Sequence, residues 1–318
     1  MFHVKQPDKA SPNDDFGMDT PLARELADLS ARRRALQNIT VDFDGDTRIL
    51  TVSNQKGGVG KTTTAVNLAS ALAQLGGRVL VVDLDPQGNA STALGVTHTA
   101  DTPSVYDVLI DDAPFADIVQ QSPEGDTLFC APSTIHLAGA EIELVSQVAR
   151  EFRLRRALET YLREHPMDIV IIDCPPSLGL LTINAFTAAS EVLIPIQCEY
   201  YALEGLSQLL GSIQMIQKHL NPELHLSTIL LTMFDARTRL AQQVADEVRS
   251  HFPEQTLHTV IPRSVRVSEA PSFGQTVIAY DNSSAGAVAY REAAVEIARR
   301  GMAEQQTPQA AGLQKKER

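Results

Sequence analysis

Two lysines and three glycines lie within six consecutive residues, Lys56 to Lys61, of the segment NQKGGVGKTT at 54–63. Glycines let successive backbone N–H groups turn toward one anion, and the positive end of a following helix strengthens the attraction. In such a loop Lys61 would reach the β- and γ-phosphates of a nucleotide, and the Thr62 hydroxyl would ligate Mg²⁺. The segment therefore predicts a phosphate-binding loop. Its predicted nucleotide contacts are Lys56, Gly57, Gly58, Val59, Gly60, Lys61, Thr62 and Thr63.

The loop departs from the common motif G-x-x-x-x-G-K-[ST], because only the second half of that motif is matched. Gln55 stands where the first glycine belongs, and the additional glycines come later. A buried strand is predicted at 48–53, and a helix with one apolar face is predicted at 62–75. The loop thus lies between a strand and a helix, as phosphate binding requires.

Two further hydrophobic strands are followed by carboxylates. The strand predicted from residues 78–84 contains Asp83 near its end and is followed by Asp85. The strand predicted from residues 167–172 is followed by Asp173. Runs of β-branched residues are typical of central parallel strands, and ligands of open α/β sheets bind at the carboxyl ends of the strands. We therefore expect these carboxylates beside the phosphate-binding loop. Two interpretations of Asp83 stay open, a supporting partner of the site and a simple strand-end cap, because Asp often only forms a turn.

The alternation of strands and helices predicts an α/β fold, with a mostly parallel, twisted sheet that has helices on both faces. Strands are predicted at 48–53, 79–84, 127–131, 168–173, 191–197, 227–233 and 257–261. Three parts of the chain are expected from composition and pattern. They are an N-terminal extension at 1–47, largely disordered with a short helix near 21–36, one α/β domain at 48–300, and a disordered polar tail at 301–318.

Composition restricts the possible partners and locations. The net charge of −12 argues at first sight against nucleic acid, and residues 231–275 are locally neutral, with five arginines and five acids. No apolar run approaches the roughly 18 residues of a membrane span, so no membrane partner is expected. The three cysteines, Cys130, Cys174 and Cys198, are widely spaced, which favours buried thiols in a reducing cytoplasm.

The loop KGGVGKTT, preceded by a strand, resembles the deviant Walker A signature of the ParA/MinD group of P-loop ATPases. Within that group the chain resembles the ParA/Soj partition ATPases over residues 48 to 300. The segments that carry this resemblance are DPQGNA at 85–90, CPPSLG at 174–179, EYYALEG at 199–205, LTMFDART at 231–238, IPRSVR at 261–266 and EAPS at 269–272. The first 47 residues lie outside it.

The resemblance implies a P-loop NTPase fold of the deviant Walker A type, with ATP and Mg²⁺ as cofactors and weak ATPase activity without a partner. Lys56 would reach the nucleotide of the partner subunit in an ATP-bound homodimer, and Lys61 would act within its own site. Asp85 would position the attacking water, and Asp173 would hold Mg²⁺ through a water, together with Thr62. A further nucleotide contact is implied at Pro262.

The resemblance also implies binding of nonspecific double-stranded DNA by the ATP-bound dimer, and hence association with the nucleoid in the cytoplasm. A ParB-type centromere-binding protein would stimulate hydrolysis. The implied DNA contacts are Arg237 and Arg266, with Arg263 and Arg239 as helpers. From the residues alone, each arginine is equally consistent with a surface salt bridge. Whether Arg153, Arg155 and Arg156 touch DNA stays open.

Other members of the group fit less well. A nitrogenase-reductase type needs cysteines that bridge an iron–sulfur cluster, and a MinD type needs a C-terminal amphipathic helix with large apolar residues. The sequence offers neither pattern, and it has no tyrosine-rich tail of a bacterial tyrosine kinase. One alternative stays open. It is an ATP-switched protein-positioning or regulatory protein of the same family that acts without DNA and docks through its N-terminal arm.

Overall fold

The centre of the structure, a computed structural model that describes residues 20–37, 39–43, 45–199 and 202–313, is an eight-stranded sheet. The strand order is β3-β4-β2-β5-β1-β6-β7-β8, and β3 alone among the described strands pairs antiparallel with its neighbour. The strands are β1 (Arg48–Val52), β2 (Val79–Asp83), β3 (Gln120–Gln121), β4 (Leu128–Ala131), β5 (Ile169–Asp173), β6 (Glu191–Gln197), β7 (His225–Phe234) and β8 (Thr256–Pro262).

Helices follow most of the strands. They are α1 (Pro21–Ala35), α2 (Lys61–Gln74), α3 (Asn89–Ala93), α4 (Val105–Asp111), α5 (Leu137–Glu143), α6 (Arg153–Glu164), α7 (Leu180–Ala188), α8 (Ala202–His219), α9 (Arg239–His251), α10 (Val265–Glu269), α11 (Val277–Tyr280) and α12 (Ala285–Leu313). The β1–α2–β2 connection crosses the sheet in one direction and the β5–α7–β6 connection crosses it in the other. Because such crossovers are right-handed, α2 and α7 cover opposite faces.

The predicted strands are confirmed, each within two residues of its predicted ends. Strands β2 and β5 are wholly buried, as their β-branched composition predicted. Their register pairs the Cα of Asp83 with that of Asp173, and Asp173 is also opposite Val52 at the end of β1. The strand β3 was not predicted, because two glutamines carry no hydrophobic alternation. The sheet thus brings the phosphate-binding loop and both carboxylate strands to one edge.

The two ends of the chain differ from the expectation. Among the described residues, those at 20–37 form one compact unit and those from 39 onward form another, so 39–47 group with the sheet rather than with the extension. Within that unit the Val41 N–H donates to the Leu75 carbonyl at 3.2 Å, and the Thr47 hydroxyl donates to the Met167 carbonyl at 2.6 Å. Hydrogen bonds to backbone carbonyls of this kind leave no periodic signal in the sequence.

The predicted short helix near 21–36 is α1, whose N-terminus is capped by the Thr20 hydroxyl, which accepts from the Ala23 N–H at 3.2 Å. Residues 1–19 lie outside the described part of the chain. At the other end, α12 continues as far as Leu313, within the stretch 301–318 for which a disordered tail was predicted. The added stretch contains Pro308, but it also has three alanines and three glutamines, which are good helix formers, and it extends a helix already anchored by the buried Tyr290.

A buried ion pair closes the opposite end of β1 and β6. The Arg48 guanidinium donates to both carboxylate oxygens of Glu191, at 2.7 and 2.8 Å, and to the Ile297 carbonyl of α12 at 3.0 Å. Burial raises the pKa of Glu191, but the hydrogen bonds and charge of Arg48, together with smaller effects of Ser227 and His225, outweigh burial and hold that pKa below its usual value. The pair therefore stabilises the fold above the unfolded-state pKa of a glutamate, and this contribution is lost as the pH falls.

Replacing Arg48 with methionine is expected to lower the free energy of unfolding at pH 7 by about 3–5 kcal/mol, because it leaves the Glu191 carboxylate buried and unpaired. Urea denaturation measures the change. The deficit should shrink as the pH falls, because Glu191 of the variant has lost the partner that lowered its pKa and takes up a proton more readily than in the wild type. The double variant Arg48→Met/Glu191→Leu is the control, and it should recover most of the loss. An Arg48→Met protein as stable as the wild type would contradict the role of the pair.

Candidate nucleotide-binding site

The phosphate-binding loop connects β1 to α2 and owes its shape to two glycines. Gly58 and Gly60 have φ angles of +76° and +89°, in the left-handed region that other residues adopt only with strain. The space where a Cβ would lie is open at both positions, so the backbone conformation, not crowding, demands glycine. Gly60 precedes the first residue of α2, Lys61. The N-terminus of α2 thus faces the concave side of the loop.

Two residues that sequence reasoning missed hold the loop against the sheet. The Asn54 side chain donates to the Pro195 carbonyl of β6 at 2.8 Å, and its oxygen accepts from the Lys56 N–H at 3.0 Å. The Thr232 hydroxyl of β7 donates to the Val59 carbonyl at 2.9 Å. A signal existed for Thr232, since it lies in the segment LTMFDART that carries the family resemblance.

The two lysines of the loop have different surroundings. Lys61 is only 7% exposed, and its ammonium donates to the Lys56 carbonyl at 3.3 Å. Burial lowers the pKa of Lys61, and the nearby Asp173 carboxylate is the strongest of the groups that oppose this shift. The Lys56 side chain is about half exposed, at 43%, and its ammonium lies 2.6 Å from a carboxylate oxygen of Glu199. Lys61 therefore faces its own site, whereas Lys56 lies at the exposed rim of the loop.

Asp173 is fully buried, and within the described residues neither of its carboxylate oxygens has a hydrogen-bond partner of ordinary geometry. Burial, and after it the charge of Asp83, raises the pKa of Asp173 well above its usual value, while the Thr62 hydroxyl and the Lys61 charge act in the opposite direction. A buried carboxylate without partners is costly, and an adjacent cation removes that cost. Carboxylate and hydroxyl oxygens are ligands that Mg²⁺ prefers. Thr62 and Asp173 therefore fit a magnesium ion.

Asp83 is satisfied by its own chain. One of its oxygens accepts from the Ser91 N–H at 2.8 Å and from the Ser91 hydroxyl at 2.7 Å, and the other accepts from the Asp85 N–H at 3.1 Å. Of the two interpretations, these bonds favour the strand-end cap, since Asp83 fixes the turn that carries Asp85. The Asp85 carboxylate is partly exposed and accepts from the Gln87 N–H at 3.0 Å. Asp85 is near enough to Lys61 for its charge to affect that pKa.

A cleft of about 420 Å³ adjoins the loop, and we call it the side cleft. Its lining residues are Gly60, Thr63, Thr232, Met233, Ile261, Pro262, Arg263, Ser264, Val265, Val267, Ser268 and Tyr290. Pro262, predicted to contact the nucleotide, thus lies in a cavity continuous with Gly60 and Thr63. Met233 has a φ of +50°, a strained backbone conformation for a residue other than glycine.

The arginines predicted to bind DNA lie in the segments that follow β7 and β8, which are neighbours in the sheet. Arg237 is 89% exposed and Arg266 is 55% exposed, and both form ion pairs with acids of the same chain. Arg263 lines the side cleft, and Arg239 is the first residue of α9. The structure therefore brings the two segments to one end of the sheet, but it shows Arg237 and Arg266 already paired with acids.

Arg153, whose contact with DNA was left open, has a structural role. It is 8% exposed and donates to the carbonyls of Leu109 and Ile110 at the end of α4. Its guanidinium also lies 2.7 Å from the Asp112 carboxylate. Because these bonds occupy a buried side chain, Arg153 is not part of an exposed cationic surface. The three cysteines are also buried, as predicted.

These features together define a class of protein. The sheet is mostly parallel, a glycine loop connects β1 to α2, and the adjacent strand β5 carries a carboxylate without a hydrogen-bond partner among the described residues. This arrangement is typical of a P-loop nucleoside triphosphatase. The second lysine, Lys56, makes its loop the deviant type. A family model described as an AAA domain matches residues 47–226, more than half of the chain. The chain belongs to the ParA/Soj family of P-loop ATPases.

Similar proteins confirm both the family and the fold. The chain is 55% identical over 254 residues to the sporulation initiation inhibitor protein Soj of Bacillus subtilis, covering 80% of this chain and 99% of that protein. It is 52% identical to the chromosome partitioning protein ParA of Myxococcus xanthus, covering 80% and 88%. The chain also resembles the crystal structure of cobyrinic acid a,c-diamide synthase from Mycobacterium smegmatis with bound ADP and magnesium. The sequence identity is 40% and the TM-score is 0.69, and the match covers 80% of this chain and 96% of that one.

The cofactors expected from the sequence agree with those in that solved relative, which was also crystallised with an ATP analogue and magnesium. The septum site-determining protein MinD of Pyrococcus horikoshii, complexed with Mg-ADP, is 26% identical with a TM-score of 0.63. In the described part of the chain, no helix has both the length and the apolar character needed to span a bilayer.

Proposed function

We propose that this protein is an ATP-dependent DNA-partition ATPase. Its ATP-bound homodimer binds nonspecific double-stranded DNA, and a ParB-type partner stimulates hydrolysis and thereby release from DNA. The observation that carries the nucleotide part is the buried, partnerless Asp173 carboxylate beside Lys61 and Thr62. The 55% identity to Soj supports the partition role.

Within the site, each residue has a separate task. The backbone of the loop and the Lys61 ammonium hold the phosphates, and Thr62 and Asp173 hold Mg²⁺. When bound, that ion offsets negative charge on the phosphate oxygens. The Asp85 carboxylate orients the attacking water, with its position fixed by the turn that Asp83 holds. Pro262, in the side cleft, contacts the base and ribose end of the nucleotide, since that cleft has a size that suits a small ligand.

Lys56 joins the two subunits. A cation at the exposed rim of the loop can reach a second copy of the chain, whereas the 7% exposed Lys61 cannot. Two triphosphates that face each other across an interface repel, and cations between them offset this repulsion. ATP would therefore control dimerisation, and hydrolysis would reverse it.

The DNA surface is formed by Arg237 and Arg266, with help from Arg263 and Arg239. Guanidinium groups contact phosphate oxygens without reading the base sequence. Two weak patches on one dimer bind more tightly than either patch alone, through their effective concentration. The partner would contribute a basic peptide, which suits the net charge of −12, and the protein would be cytoplasmic and associated with the nucleoid.

Changing both Arg237 and Arg266 to alanine is expected to weaken ATP-dependent binding to a nonspecific duplex by about 100-fold at low salt, because phosphate contacts in both subunits are lost. ATP hydrolysis and dimerisation should not change. Fluorescence anisotropy measures the DNA affinity. Arg163→Ala/Arg299→Ala, which removes two exposed arginines elsewhere, is the matched control. If DNA binding survives the first double change, the proposed surface is wrong.

One observation favours the second candidate, an ATP-switched positioning or regulatory protein that acts without DNA. The two main arginines of the predicted surface, Arg237 and Arg266, are paired with acids, and residues 231–275 have no net charge. Binding to a duplex with ATP, with ADP and without nucleotide, at two salt concentrations, decides between the candidates. Salt-sensitive binding that requires ATP supports partition. Absence of DNA binding with intact ATP binding supports the second candidate.

A further inference from the structure

The Asp235 carboxylate occupies one fork of hydrogen-bond donors of Arg237, the Nε/Nη2 fork, with which a DNA phosphate could otherwise form two bonds. Two parallel bonds join them, from Nε to Oδ1 and from Nη2 to Oδ2, each 2.8 Å long. Arginine holds carboxylates and phosphates with the same fork of donors. DNA can therefore use this fork only after it displaces Asp235, although Arg237 itself is 89% exposed.

The chain holds Asp235 in place. Its Oδ1 also accepts from the Arg237 N–H at 3.1 Å, and its carbonyl accepts from the N–H and the hydroxyl of Thr238, both at 3.0 Å. Thr238 in turn caps the N-terminus of α9. The hydrogen bonds from Arg237, and after them the charge of Arg263, lower the pKa of Asp235 to about 2. The competing anion is therefore ionised and fixed at neutral pH.

The second predicted DNA contact has the same arrangement. The Arg266 guanidinium lies 3.2 Å from a Glu269 carboxylate oxygen and 3.6 Å from an Asp281 carboxylate oxygen. Glu269 is on the same short helix, and Asp281 follows α11. Both of the main predicted DNA contacts thus carry acids of their own chain, at separate places in the fold.

We propose that Asp235 is a built-in competitor for DNA phosphate, which keeps the DNA affinity of a single subunit low. This inference rests on the proposed function, because it assumes that Arg237 contacts DNA. Its consequence is that one subunit binds weakly and that retention on DNA requires the two patches of a dimer. Glu269 and Asp281, the two acids that pair with Arg266, compete with DNA phosphate in the same way.

Asp235→Asn tests the proposal with little change to the local structure. The asparagine oxygen can still accept from the Arg237 N–H, so the turn before α9 is retained while the negative charge is removed. We expect the ATP-bound variant to bind a nonspecific duplex about fivefold more tightly, the upper range for one surface ion pair. Fluorescence anisotropy in ATP, with KCl varied from about 50 to about 200 mM, measures this change.

The salt dependence gives a second, independent readout. In the wild type, the Asp235 carboxylate stays beside Arg237 after it is displaced, and its negative charge offsets the charge with which Arg237 releases cations from DNA. The variant has no such carboxylate. A plot of log affinity against log salt should therefore become steeper by about 0.9 for each Arg237–phosphate contact.

Two further variants separate competition from a general charge effect. Asp246→Asn makes the same charge change on the exposed face of α9, where the Asp246 carboxylate accepts a hydrogen bond from the Gln242 side chain at 2.9 Å. It should leave the slope unchanged. The double variant Asp235→Asn/Arg237→Ala should lose the gain in affinity. Glu269→Gln should repeat the gain at Arg266, and it keeps the proposal testable if Asp235→Asn does not fold.

The outcomes are distinct. An equal gain from Asp246→Asn would show that net charge alone matters, and weaker binding by a folded Asp235→Asn would show that Asp235 orients Arg237 for DNA instead of competing. Either result overturns the proposal. Binding of the wild-type protein to DNA in the presence of ATP tests the proposed function separately. If the wild type binds DNA but the variants show no competition, the partition role stands and only the role of Asp235 is wrong.

Discussion

Lys61→Ala is expected to lower the affinity for ATP by at least about 100-fold, since the lost ammonium makes charge-assisted bonds to the phosphates. The loss of ATP affinity should exceed the contribution of a single charge-assisted hydrogen bond. Lys61 is also close enough to the Asp173 and Asp85 carboxylates for their charges to act on it, and without Lys61 these charges repel the incoming triphosphate. Isothermal titration calorimetry with ATP and Mg²⁺ measures the affinity.

Lys218→Ala serves as the matched control, because it removes one lysine from the exposed last turn of α8. It should bind ATP as the wild type does. A thermal melt without nucleotide should show that both variants are folded. An Lys61→Ala protein with near-normal ATP affinity would mean that the loop holds phosphate through its backbone N–H groups alone.

Asp85→Ala is expected to bind ATP within about threefold of the wild type and to hydrolyse it about 100-fold more slowly, because a residue that orients or accepts a proton from water contributes at least that factor. Since ATP would join the subunits and hydrolysis would separate them, the variant should persist as a dimer in ATP. Phosphate release gives the rate, and size-exclusion chromatography with light scattering gives the mass. A monomeric Asp85→Ala protein in ATP would count against the assignment.

The conservative variant Asp85→Asn tests the simpler interpretation that Asp85 only forms a turn. Its amide oxygen can still accept from the Gln87 N–H, which the Asp85 carboxylate does at 3.0 Å, but it has no negative charge. If the charge orients water, this variant should be as slow as Asp85→Ala. Normal hydrolysis by Asp85→Asn would show that the turn was all that the enzyme required.

Strand prediction succeeded where burial on both faces dictated the residue types. The β-branched runs of β2 and β5 have few alternatives to a central parallel strand, and both strands lie where the pattern indicated. Prediction failed at β3. This two-residue strand lies at the edge of the sheet beside β4, and its two glutamines need no hydrophobic pattern to pair there. In the tail, composition alone did not reveal that residues 301–313 continue a helix that is anchored upstream.

Within the site, the residue types of the loop and of the strand ends were readable because phosphate and Mg²⁺ binding require particular groups close together in sequence. The supporting contacts were not readable. Asn54 reaches β6 and Thr232 reaches the loop from β7, across 141 and 173 residues of chain. Contacts over such separations depend on the strand order of the sheet, which one sequence does not display.

The sequence by itself determined the phosphate-binding loop with its two lysines, the central strands and the family, because each depends on residue types at short, fixed spacings. Only the tertiary structure decided how the charged groups are paired. Asp83 and Asp173 end similar buried strands, yet Ser91 satisfies the first and no described residue satisfies the second. Likewise, the sequence shows Arg237 only as a cation, whereas in the fold its guanidinium is paired with the Asp235 carboxylate. The pairing of a charge depends on neighbours that only the folded chain brings within about 4 Å.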